Sequence, residues 1–279
     1  MTLNDNEPPV SAASFPWELL CALPPALRFL SRLPVPVMPF ETKLDIHLPP
    51  DLDRLAPALP LAGALIGALG AAVLVAALLA GLPPLVAATM GVAALVIATG
   101  AFHEDGLADF ADGMGGMTAE RRLAIMKDSR VGSFGVLALV ISILLRVAAL
   151  DGLAADAPVL AAAGLIAASG AARLAGVHVL HALPPARADG MASTAGAVGR
   201  AAMLRAGAVA LILCAALVLP GLGLLALLAA LAAGGLATLL VERSARARLG
   251  GQTGDVAGAA TQAAEIAFLL ALLIFARHA

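Results

Sequence analysis

Long runs of this chain are almost free of charge, and that limits it to one kind of environment. Windows of about 20 apolar residues, the length of a hydrocarbon core, lie at 57–81, 84–102, 133–150, 157–182, 201–220, 221–241 and 257–276. Each is long enough for a helix to cross a bilayer, and a helix satisfies its own backbone hydrogen bonds there. The spacing predicts an all-α, polytopic membrane bundle of about seven transmembrane helices. Composition excludes the soluble alternative. Apolar residues make up 61% of the 279 and charged ones 13%, about half the usual quarter, too few to cover a water-soluble surface. A disordered chain, a secreted disulfide scaffold and a basic nucleic-acid binder are excluded as well.

The 17 Lys and Arg residues orient the bundle, because short cytoplasmic loops collect positive charge. Fourteen fall on one side of the alternation: Arg28, Arg32, Lys43 and Arg54; Arg121, Arg122, Lys127 and Arg130; Arg187, Arg200 and Arg205; Arg243, Arg246 and Arg248. Only Arg277 falls on the other, and Arg146 and Arg173 lie within spans. The N-terminus is expected inside and the C-terminus outside. Residues 1–56 then form a cytoplasmic or interfacial lead and 57–279 a single transmembrane domain. The acidic opening lacks a basic n-region and an apolar h-region, so no cleaved signal is expected. Prolines at 24, 25, 34, 36 and 39 predict that no long helix forms in the lead, leaving ALRFLSRL to lie at the headgroups. Cys21 and Cys214 are too differently placed to suggest a bridge.

Acids near a membrane are costly and mark function. The densest group is His103-Glu104-Asp105-Gly106-Leu107-Ala108-Asp109-Phe110-Ala111-Asp112-Gly113, directly after the second window. Asp105, Asp109 and Asp112 are spaced four and then three apart, so a helix projects all three from one face, where they repel. A hard divalent cation relieves that repulsion, and Mg²⁺ is the natural candidate because it keeps positions open for water and phosphates. Downstream, Lys127, Asp128 and Arg130 precede Gly132 and Ser133 at a helix start; Arg grips phosphate bidentately, Lys supplies a point charge, and the helix N-terminus favours an anion. A third segment, Leu249-Gly250-Gly251-Gln252-Thr253-Gly254-Asp255, opens the last window with Gln262 and Glu265 further in. Its glycines permit close backbone approach to a ligand, and Asp255 and Gln262 fall on one helix face. His178 and His181 suit a helix interface better than a ligand site. No HExxH, Walker A, paired CxxC or GxSxG motif is present.

FLSRLPVP (29–36), FHEDGLADFADG (102–113), IMKDSRVGSFG (125–135) and LGGQTGDVAGA (249–259) resemble, in order and spacing, the signature segments of the cobalamin synthase family, the adenosylcobinamide-GDP ribazoletransferases. The resemblance runs from Phe29 to nearly the end of the chain. It implies a Mg²⁺-dependent transferase of the bacterial inner membrane, facing the cytoplasm. Such an enzyme joins adenosylcobinamide-GDP to α-ribazole or its 5′-phosphate and releases GMP. On that reading Asp105, Asp109 and Asp112 hold the metal and Asp109 or Asp128 takes the hydroxyl proton. His103, Lys127, Arg130, Gln252 and Asp255 contact substrate. Two rivals come from other classes. A CDP-alcohol phosphatidyltransferase shares the D-x-x-D-G start, at Asp109 to Gly113, but Gly116, Met117, Met126 and Arg130 break its pattern. A secondary transporter would use Arg146, Arg173 and Glu265 as coupling groups, yet the polar residues gather at one edge.

Overall fold

The computed structural model describes residues 15–41, 51–187 and 197–276. Lys43, Arg277 and most of the connection after Arg187 lie outside the described residues. The elements are α1 (Phe15–Leu30), α2 (Leu52–Leu55) with a 3₁₀ turn (Ala56–Ala58), α3 (Leu59–Leu79), α4 (Pro84–Thr99), α5 (Phe102–Gly113), α6 (Ala119–Met126), α7 (Ser133–Asp156), α8 (Pro158–Ala182), α9 (Arg200–Leu249) and α10 (Gly254–Ala276). The only β pairing among the described residues is an isolated parallel bridge, Pro185 with Gln252. The all-α membrane bundle read from the sequence is what forms.

Among the described residues five helical stretches are long and apolar enough to cross a membrane: Leu52–Leu79, Ser133–Ala155, Pro158–Ala182, Arg200–Leu249 and Gly254–Ala276. The pair α4 and α5, bent by 88° at its break, makes a sixth if it is counted as one span. The windows 201–220 and 221–241 share the single element α9, whose 50 residues would run about 75 Å if straight. It is broken at Gly223, where φ is +77° and ψ −177°, a conformation open only to glycine. Met203, Gly207 and Leu211 line the same cavity as Leu231, Gly235 and Leu239, so the two halves lie side by side as a hairpin.

α10 runs through the middle, packed against α5, α7, α8 and α9, while α3 packs on α8 and α4. Small residues set these distances. A Cβ on Gly63 would meet the Ser169 carbonyl oxygen at 2.6 Å, and one on Gly67 the Ser169 Cβ at 2.8 Å. Such close approach supplies the van der Waals contact that holds helices together in lipid.

The lead differs from its expectation. α1 continues through Pro24 and Pro25, although each removes a helical hydrogen bond. Its buried stripe, Ala22, Ala26 and Leu30, repeats every four residues and packs against α3 and the 3₁₀ turn; that burial outweighs the two lost bonds. Cys21 and Cys214 are both free thiols.

Candidate active site

At Gly100 and Ala101 the backbone turns left-handed, with φ of +64° and +59°. The turn ends α4 and sends α5 off across the ends of the neighbouring helices. α5 is only 12 residues, about 18 Å, and too polar to span by itself. It meets the start of α10 at an unusually close crossing: a Cβ on Gly106 would stand 3.1 Å from the Asp255 Cα and 3.2 Å from the Gly258 Cα. The glycine of DGLAD and the second glycine of GDVAG therefore serve one contact, which brings Asp105 and Asp255 to the same cavity.

That cavity, of about 260 Å³, is lined by His103, Asp105, Arg173, Asp255 and Thr261 together with apolar groups from α1, α3 and α8. Asp109, one turn further along α5, is half-buried. Burial first, then the charges of Asp105, Asp255 and Asp112, push its carboxyl up from 3.8 to about 7, while the Arg187 guanidinium pulls it down. The acids thus form one repelling group with Arg187 as its nearest cation. Arg187 is anchored by donating to the Leu123 carbonyl at 2.7 Å.

Asp112 is engaged differently. Its carboxylate accepts the backbone N–H of Gly132 at 2.7 Å and of Gly135 at 2.8 Å. The anion expected at the start of α7 is therefore supplied from within the chain, and any side chain at 132 or 135 would collide with it. Asp112 faces a second cavity, of about 410 Å³, shared with Arg121, Asp128, Arg130, Gly132 and Ser133. Among the described residues no three His, Cys, Asp or Glu side chains converge closely enough to cage a metal ion. Asp105 and Asp112, seven residues apart along α5, line separate cavities.

On the second cavity, Arg130 forks onto Asp128, with Nε to Oδ1 at 3.0 Å and Nη2 to Oδ2 at 2.6 Å. These bonds hold the Asp128 carboxyl down at about 2. Arg130 is 87% exposed in its side chain, so its charge remains open to an approaching anion. Lys127 caps α6 at its C-terminal end and is exposed.

The GGQTGD loop is built for closeness. Gly250 carries φ +78° as the left-handed end of α9, and a Cβ at Gly251 would strike the Pro184 carbonyl. Gln252 is buried; its N–H donates to Pro184 O and its carbonyl accepts Ala186 N–H, both at 2.8 Å. Its side-chain Oε1 has no partner. Thr253 caps α10 by accepting the Val256 N–H at 3.3 Å and donates to Asp255 at 3.2 Å. The loop thereby holds Asp255, and the bridged Pro184–Ala186 segment brings Arg187 beside it.

Beneath the acids runs a buried chain of alternating charge. Glu104 Oε1 pairs with Arg146 at 3.0 Å, Arg146 with Glu265 at 3.4 Å, and Glu265 with Arg173 at 3.0 Å. Gln262 donates to Glu104 at 3.1 Å and accepts from Ser142 at 3.0 Å. Two acids neutralise two bases. The coupling groups a transporter would need are paired with one another. His178 binds Glu242 at 3.0 Å and His181 the Val198 carbonyl at 2.7 Å, so the two histidines join separate helix contacts. Glu104 and Arg187 are what sequence reasoning missed. The position of Glu104 within α5 carries no signal of a partner on another helix, and Arg187 lies in a segment with no motif.

The sequence profile of the family described as Cobalamin-5-phosphate synthase matches residues 22–273. A protein of Azorhizobium caulinodans named adenosylcobinamide-GDP ribazoletransferase is 53% identical over 253 residues, covering 90% of this chain and 95% of that protein. Proteins of the same name from Xanthobacter autotrophicus and Rhizobium etli are 50% and 44% identical, each covering 94% of its own length and 90% and 88% of this chain. No solved structure matches.

Proposed function

The chain belongs to the Cobalamin-5-phosphate synthase family, and from that premise we propose how its residues carry out the family's reaction. It is a membrane transferase that joins adenosylcobinamide-GDP to ribazole. The finer statement is ours: it takes α-ribazole or its 5′-phosphate, releases GMP, requires Mg²⁺, and works at the cytoplasmic face of the inner membrane. The orientation rests on the fourteen basic residues on one side of the alternation.

The donor set fits a hard cation. Asp105, Asp109 and Asp255 repel one another in a partly buried site, and Mg²⁺ at phosphoryl-transfer sites is held by one or two carboxylates plus substrate phosphates, not by a complete protein cage. Asp105 and Asp109 would hold it, whereas Asp112 spends both its oxygens on the Gly132 and Gly135 N–H groups at the start of α7. When bound, the ion neutralises charge on the transferring phosphorus and its oxygens.

The protein's own residues supply positioning. Arg130, Lys127 and Arg187 take the pyrophosphate oxygens, with Arg130 leaving Asp128 to do so. A ribazole hydroxyl oxygen bonds to the cobinamide-side phosphorus. The bond from that phosphorus to the bridging oxygen breaks, GMP leaves with the bridge, and the hydroxyl proton passes to Asp109. Asp109 stands with Asp105 and Asp255, whereas Asp128 lies on the second cavity, which favours Asp109 over Asp128. His103, Gln252 and Asp255 contact substrate around the first cavity.

The observation that carries this reading is the gathering of Asp105, Asp109 and Asp255 beside Arg187 where α5 crosses α10, at which burial and then the acidic neighbours raise the Asp109 carboxyl. Purified protein given adenosylcobinamide-GDP, α-ribazole and Mg²⁺ should release GMP, reversibly stopped by chelation. GMP release that is indifferent to chelator would remove the metal from the mechanism and leave the transferase.

A further inference from the structure

The acid-lined cavity has a second part that phosphate chemistry does not use. Besides Asp105 and Asp255 it is lined by Phe29, Phe102, Val177, Leu180, Arg173 and Thr261. Most of its wall is apolar, and the polar side chains on it are few. Phe29 and Phe102 meet edge to face with centroids 5.7 Å apart, a pair of rings against which a flat ligand can pack.

One of the lining side chains, Arg173, has a donor without an acceptor. Arg173 is 5% exposed, and its Nη1 donates to the Ser169 carbonyl and to Glu265. Its Nε is buried with no partner. An unpaired buried N–H costs about 1 to 3 kcal/mol, a deficit that a ligand acceptor would remove. His103, equally buried, lines the same space.

Size narrows the occupant. About 260 Å³ lies below the roughly 300 to 1,000 Å³ of pockets for drug-sized ligands, so a corrin macrocycle cannot enter. A single bicyclic ring fits. We propose that this cavity receives the nitrogen-heteroaromatic base of the ribazole. Its ring lies against Phe29 and Phe102, and the ring nitrogen that carries no sugar accepts from Arg173 or His103. The proposal rests on the transferase reading above, since it assigns one substrate of that reaction to one subsite. With the base inside, the sugar lies at the mouth between Asp105 and Asp255, and the ribose hydroxyls face Asp109 one turn along α5.

The test is binding of α-ribazole alone, by calorimetry on the full chain in detergent without Mg²⁺ or the second substrate. Phe102→Ala and Phe29→Ala, at positions that are not fully buried, should each raise its Kd about tenfold and leave the KM for adenosylcobinamide-GDP within twofold. An analogue with C–H in place of the acceptor ring nitrogen should bind wild type about tenfold more weakly. Leu180→Trp, which narrows the cavity, should favour the riboside of unsubstituted benzimidazole over that of the dimethylated base. Should Leu180→Trp fail to fold, the two alanine variants decide. Unchanged α-ribazole affinity in both alanine variants, or a rise confined to the KM for adenosylcobinamide-GDP, overturns the base pocket while the transferase reading stands. Absence of GMP release by wild type overturns the transferase reading and is scored separately from binding.

Discussion

Gly106 and Gly258 meet backbone to backbone where α5 crosses α10, and a Cβ on either would lie 3.2 to 3.3 Å from the other's Cα. This contact sets the separation of Asp105 from Asp255. Gly106→Ala must push the helices apart by a few tenths of an ångström against main chain, which cannot rotate away. Overpacking of this kind costs about 1 to 3 kcal/mol. GMP release should fall more than tenfold while the protein still accumulates in membranes. Full activity in Gly106→Ala would show that the spacing of the two acids is unimportant.

Asp109 and Asp112 should separate by stability. Asp109→Asn removes a charge that its neighbours repel, so its melting temperature in detergent should be unchanged or higher while transfer is lost. Asp112→Ala strips the acceptor from two N–H groups, Gly132 and Gly135, and should cost about 1 to 3 kcal/mol. Equal melting temperatures for Asp112→Ala and wild type would contradict the cap.

The pH dependence follows from Asp109. Its folded value, about 7, lies above the ordinary 3.8, so the ionised form is penalised in the folded protein. That penalty is absent below about 4, grows as pH rises, and is complete above 7. Asp109→Asn should therefore gain on wild type in thermal stability between pH 5 and 8. At low Mg²⁺ the wild-type rate should rise with pH through about 7, and added Mg²⁺ should move that limb to lower pH. A limb that ignores Mg²⁺ would detach Asp109 from the metal.

Arg146 holds Glu104 and Glu265 together at 1% exposure. Arg146→Met leaves two buried carboxylates with too little positive charge, and breaking such a pair costs about 3 to 5 kcal/mol. The protein should accumulate poorly, and adding Glu104→Gln should restore much of the loss because the two changes share one network. Additive losses in the double variant would mean that the two side chains act separately.

Topology is testable by reporters. Insertion at Gly115–Met117, between α5 and α6, should read as cytoplasmic, and at Gly81, between α3 and α4, as external. The reverse pattern would place the acid site on the outer face.

Much of this was legible in the chain because membranes impose one-dimensional rules. A window of about 20 apolar residues must be helical, so the all-α character and the α5 register of Asp105, Asp109 and Asp112 could be read along the sequence. Prolines 24 and 25 misled, since whether a helix survives them depends on the stripe it buries, and Ala22, Ala26 and Leu30 find their partners only in three dimensions. The break at Gly223 appeared in the sequence as a boundary, but the side-by-side packing of the two halves needed their shared cavity.

The grouping of the acids was legible along the chain; their partners were not. Spacing put Asp105, Asp109 and Asp112 on one helical face, because helix geometry is local. Folding then gave Asp112 to the N–H groups of Gly132 and Gly135, brought Asp255 to Asp105 across the Gly106 crossing, and set Arg187 beside Asp109. It also paired Glu104 with Arg146 across 42 residues and left the buried Arg173 Nε without a partner. Those relationships depend on which surfaces two helices present at a crossing, and no period within either helix records its partner.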